Sequence, residues 1–79
     1  MDIIEQVGEQ LALQRARLGI SLEEAAHGAG IDPERLAGGE EGSVRLSEAE
    51  LGELAGVYGV DVTAFFGGRT TPLSYLFGA

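Results

Sequence analysis

Between Ser21 and Gly42 the chain reads SLEEAAHGAGIDPERLAGGEEG, and this stretch leaves little freedom in what can form there. Ser21-Leu22-Glu23-Glu24 has capping-box spacing: the Ser21 hydroxyl accepts from the Glu24 amide while the Glu24 carboxylate reaches back. That predicts a helix from Leu22 to about Ala29, with Gly30 supplying the turn. Asp32-Pro33 is a second start signal. Asp32 suits the N-cap, and Pro33 suits the first helical position, where a missing N–H costs nothing. Two short helices therefore meet at a tight corner. The same stretch carries six acids (Glu23, Glu24, Asp32, Glu34, Glu40, Glu41) against one base, Arg35.

The second of these helices is expected to be short. Gly38 and Gly39 each cost about 1 kcal/mol relative to Ala in a helix interior. The expectation is a frayed last turn, then a loop from Glu40 to Leu46 with Gly42 at positive φ. Upstream, residues 2–18 read as an amphipathic helix. Ile4, Val7, Leu11 and Leu18 lie on one stripe with Ile3 beside it, and Gly19 closes it. Downstream, Ser47-Glu48-Ala49-Glu50 repeats the capping-box pattern. It starts a helix with Leu51, Leu54, Ala55 and Tyr58 on one face and Gly59 at its end. Asp61 caps a short fifth helix, Val62 to Phe66, which Gly67-Gly68 stops. In the remaining segment Leu73, Leu76 and Phe77 fall at helical spacing, with Tyr75 among them.

At 79 residues the chain makes one small domain, able to bury only about 60–65% of its unfolded surface. It has no cysteine, so compact helix packing, helped by self-association, must hold it. The formal net charge is −8, and all five bases are Arg. Such a field repels nucleic acid and anionic membranes at long range and favours solubility, or a basic partner. Met1-Asp2 opens without a basic n-region, and no apolar run approaches the roughly 20 residues of a membrane span. A cytoplasmic protein is the expectation.

The only histidine, His27, lacks partners at metal-site spacing and reads as a solvated surface residue. The Glu23-Glu24 and Glu40-Glu41 pairs read as caps and exposed face rather than general acids or bases. No catalytic triad order and no phosphate-binding glycine loop stands out. Neither an enzyme nor a cofactor is expected.

Five short helices at these spacings resemble the lambda-repressor/Cro-like helix-turn-helix family, also called the Xre family. The resemblance covers residues 7–66, through VGEQLALQRARLGISLEEAAHGAGIDPERL, the Glu40-x-Gly42 turn and LSEAELGELAGVYGVDVTAFF. Ala26 and Gly30 fill the family's small-residue and turn-glycine places. Its hydrophobic positions fall on Ala25, Ala29, Ile31, Leu36 and Gly39, the last normally bulky. The fold implied is all-α: a compact five-helix lambda-repressor-like domain over 1–68, with its motif at about 21–42. A short apolar C-terminal tail, 69–79, packs on the domain, on a dimer mate or on a partner.

The resemblance also implies residue roles. Arg15 and Glu40 occupy the places of a structural ion pair tying the end of the third helix to the first. Bases would be read from the start and exposed face of the third helix, and phosphates from the start of the second. Those places hold Leu22, Glu23, Asp32, Pro33, Glu34, Ala37, Gly38 and Glu41, with no bidentate Arg or amide for a purine edge. Arg35 either faces DNA or pairs with a nearby acid. Arg45, in the loop after the third helix, is the best remaining phosphate contact.

Scaffold and charge thus point different ways. The preferred expectation is a transcription-regulatory helix-turn-helix protein, a homodimer, with weakened or lost DNA reading. It would act through contacts with a protein partner of basic character. Val57, Tyr58, Phe65, Phe66, Leu73, Tyr75, Leu76 and Phe77 are the candidate partner or dimer contacts. Two alternatives stay open: a sequence-specific repressor or antitoxin-like regulator using Arg35 and Arg45, and an acidic DNA mimic.

Overall fold

The computed structural model describes residues 2–68 and Tyr75. Those residues form α1 (Ile3–Leu18), α2 (Leu22–Ala29), α3 (Pro33–Glu41), α4 (Glu48–Tyr58) and a 3₁₀ helix (Val62–Phe66), with no strand among them.

The capping signals translate directly into bonds. Ser21 Oγ accepts from the Glu24 N–H at 3.0 Å and Glu24 Oε1 from the Ser21 N–H at 3.1 Å. Ser47 and Glu50 repeat this at α4, at 3.1 and 2.7 Å. Asp2, Asp32 and Asp61 cap the other three elements. The three later α-helices all close through paired backbone bonds around a left-handed glycine. At α2 the Ile31 N–H donates to the Ala26 carbonyl and the Gly30 N–H to the His27 carbonyl.

Packing follows from side-chain size. Phe65, Leu11, Leu36, Leu46, Leu51 and Leu54 are fully buried. Ala25, Ala26 and Ala29 give α2 a low-profile inner face that lets α4 approach. α1 lies across α3, and Gly8 sets their separation. A β-carbon there would stand 2.5 Å from the Gly39 carbonyl oxygen and 2.7 Å from that of Glu40. Only a residue without one permits this crossing.

Three expectations are corrected. The fifth helix is a 3₁₀ turn, because five residues between Asp61 and Gly67 are too few for an α-helix to repay its nucleation. α3 does not fray at Gly38-Gly39 but runs on to Glu41, ending at Gly42 (φ 81°). The Ser43 and Val44 N–H groups both donate to the Gly38 carbonyl, at 3.0 and 3.1 Å. At Gly39, a place the family normally fills with a bulky residue, Leu46 folds into the space such a residue would take, with its Cδ1 2.9 Å from where a β-carbon would lie. Leu18, placed on the apolar stripe of α1, is 42% exposed at the helix end, beyond the reach of the core.

Candidate nucleic-acid interface

α2, the Gly30 turn and α3 make the two-helix corner that the sequence called for, and α3 presents its first turns outward. Asp32, Pro33 and Glu34 are exposed there, as are Glu41 at the other end of α3 and Glu23 at the start of α2. Asp32 is committed locally, since its Oδ1 accepts from the Glu34 N–H at 2.8 Å. Leu22 and Ala37 are half-buried, and Leu22 packs against the core.

Gly38 does not belong to the exposed face. It is buried, and a β-carbon there would stand 2.4 Å from Val44 Cγ2. Its role is to admit the return of the chain after α3, not to approach a base.

Arg35 projects from α3 across to α4 and closes a fork on Glu50. Its Nε donates to Oε2 at 2.5 Å and its Nη2 to Oε1 at 2.7 Å. Two parallel charge-assisted bonds match a planar guanidinium to a carboxylate. The Arg35 bonds pull the Glu50 carboxyl down to about 2, with the Ser47 capping bonds pulling the same way against desolvation. Bonding to Glu50 raises the Arg35 guanidinium in turn. The nearby acid left unnamed by the sequence is therefore Glu50, fifteen positions away. Nothing local in the sequence marks it, because its capping-box place already accounts for it.

Arg15 forks onto Glu40, with Nε to Oε2 at 2.7 Å and Nη2 to Oε1 at 2.9 Å. Its Nη1 donates to the Ile20 carbonyl at 3.2 Å, so one side chain joins α1, the α1–α2 turn and α3. The bond to Glu40 raises the guanidinium above its ordinary value, outweighing partial burial.

Arg45 is exposed, and its guanidinium carbon lies 4.9 Å from the centre of the Tyr75 ring. Tyr75 itself is only 2% exposed. Its hydroxyl donates to the Leu46 carbonyl, and its ring meets Phe66 edge-on at 5.3 Å. Desolvation lifts the Tyr75 phenol to about 12.

Of the other candidate contacts, Tyr58, Phe65 and Phe66 lie in the core rather than on an outward patch. Tyr58 and Phe65 meet edge-on at 6.3 Å, filling the space between α4 and the 3₁₀ helix. Val57 is half-buried against Gly28. Leu73, Leu76 and Phe77 lie outside the described residues.

Among the described residues, all four Arg side chains have a partner. Arg15 is on Glu40, Arg35 on Glu50, and Arg45 over Tyr75. Arg17 Nε donates to Gln14 Oε1 at 2.9 Å. No helix among these residues is long and apolar enough to cross a membrane.

A sequence model described as a helix-turn-helix domain matches residues 6–65, from α1 through nearly all of the 3₁₀ helix. No curated protein and no solved structure gives a significant match.

Proposed function

From the premise that the chain belongs to the helix-turn-helix domain family, we propose that it is a transcription-regulatory protein with weakened duplex reading. It works mainly by contacting a basic protein partner through its acidic α2–α3 side. The observation that carries this reading is the Arg35–Glu50 fork. It engages the one base in the motif, beside the exposed acids Glu23, Glu24, Asp32, Glu34 and Glu41.

The physical argument is one of order. Base-edge contacts specify only after phosphate contacts have fixed the protein on the duplex. Those contacts come from Lys and Arg, and they supply essentially all non-specific affinity. Here the side that would meet phosphates offers Arg45 alone outside a salt bridge, within a chain of net charge −8. Glu can accept from cytosine N4, but such a contact does not overcome the repulsion between acids and backbone. The same charges suit a lysine- and arginine-rich protein surface, with long-range attraction speeding encounter.

The test is affinity capture from cell extract with and without nuclease. The reading predicts a captured protein that survives nuclease treatment and is released by salt. It also predicts that charge reversal at Glu34 and Glu41 abolishes capture. A partner lost on nuclease treatment would favour the sequence-specific repressor instead.

A further inference from the structure

The α3 side of the domain carries an open cavity of about 280 Å³, rimmed by Arg35, Arg45, Leu46, Ser47, Glu48 and Tyr75. Two guanidiniums thus share one rim, and both are held by the protein itself. Arg35 is held by Glu50, within the domain. Arg45 is held by Tyr75, which lies ten residues past the end of the helix-turn-helix match at residue 65.

Tyr75 is anchored on three sides. Its hydroxyl donates to the Leu46 carbonyl, its edge packs on Phe66, and its face receives Arg45. Leu46 in turn fills the space over Gly39 of α3. One aromatic side chain therefore fixes the loop after α3 and lies beneath the cation that this loop carries. Removing the ring frees both together. A phenol buried this deeply stays neutral throughout the physiological range, so its ring face and its donor are constant features.

We infer that Tyr75 is an intramolecular latch. It holds Arg45 against the domain, and so sets how freely that cation can reach a phosphate backbone. This rests on the proposed reading of the α3 side as a weakened duplex surface. An event that draws Tyr75 away, such as a partner taking it up, would release Arg45 and raise affinity for nucleic acid.

The test uses the full chain and a labelled random-sequence duplex titrated over salt. Tyr75→Leu keeps an apolar side chain and removes both ring and hydroxyl. It should tighten low-salt binding several-fold and steepen the dependence of log K on log salt by about 0.9, the slope of one added phosphate contact. Adding Arg45→Ala should cancel the gain. No gain, or a gain that survives Arg45→Ala, overturns the latch. Should Tyr75→Leu lose helicity, proton NMR of the parent decides. The Arg45 side-chain protons must show the upfield shift of groups over a ring face, and their absence from that position overturns the latch. A parent that binds duplex tightly would contradict the proposed function but not the latch, which is read from the difference between variants.

Discussion

The Arg35 guanidinium and the Glu50 carboxylate form a two-bond fork, 2.5 and 2.7 Å long, that ties the face of α3 to the first turn of α4. Glu50 also accepts the Ser47 N–H at 2.7 Å. One carboxylate thus closes a helix end and restrains the only base of the two-helix motif. Glu50→Gln keeps a residue able to close the capping box while discarding the charge. We expect unchanged helicity and a several-fold rise in low-salt affinity for random duplex as Arg35 is released. An affinity equal to the parent's in a titration of both proteins would show that the fork does not restrain Arg35.

The fork also predicts an acid response. The Glu50 carboxyl sits at about 2 when folded, against an ordinary value of 4.5. Between those values the unfolded chain binds more protons, so stability must fall as pH drops. The contribution is complete above about pH 5 and is lost progressively as pH falls from about 4.5 to 2. Arg35→Gln should flatten this part of the stability–pH curve. Urea unfolding of both proteins across that range, with the Glu50 titration followed by NMR, checks it.

Arg15–Glu40 is less exposed, at 26% and 11% for the two side chains. It stands between a surface pair, worth under about 1 kcal/mol, and a buried pair, whose breakage costs about 3–5 kcal/mol. Arg15→Ala should therefore destabilise by about 1–3 kcal/mol, adding the lost bond to Ile20. A denaturant midpoint equal to the parent's would remove the pair from the account of the fold.

Gly8 and Gly52 should respond in opposite directions to the same change. A β-carbon at Gly8 meets the backbone of α3 at 2.5 Å, whereas one at Gly52 meets nothing within 4 Å. Gly8→Ala should cost at least about 1–3 kcal/mol by forcing α1 and α3 apart. Gly52→Ala should stabilise by up to about 1 kcal/mol through helix propensity alone. Thermal unfolding of the two variants gives the comparison, and equal shifts would contradict the close crossing.

The Tyr58 hydroxyl is buried and, among the described residues, has no hydrogen-bond partner. Desolvation lifts its phenol to about 12. Tyr58→Phe removes an unpaired polar atom and keeps the ring against Phe65. The expected outcome is stability within about 0.5 kcal/mol of the parent or above it. A loss beyond about 1 kcal/mol would reveal a bond to that hydroxyl.

What the sequence disclosed well was local. Helix starts depend on side chains within three residues of the cap, so Ser21, Asp32 and Ser47 announce themselves. Ends depend on one residue with positive φ, so Gly19, Gly30 and Gly59 do as well. The Arg15–Glu40 pair was legible only through the family pattern, being 25 residues apart. Three features were not legible. Gly8 looks like a flaw in α1 until α3 is laid across it. Gly38-Gly39 reads as a helix breaker because propensity counts only the backbone, whereas Val44 and Leu46 supply the missing bulk from outside. Arg35–Glu50 and Arg45–Tyr75 join positions whose proximity is set by how α3, α4 and Tyr75 pack.

The central claim is that the α3 side has exchanged phosphate-binding charge for internal pairing and exposed acid. The most direct measurement is the affinity of the unmodified chain for random and selected duplexes across a salt series at neutral pH. The account predicts weak binding at low salt with a slope no steeper than that of a single phosphate contact, and no duplex selected above the random pool. Site-selective binding at about 0.15 M salt, with the slope of six or more phosphate contacts, would contradict it.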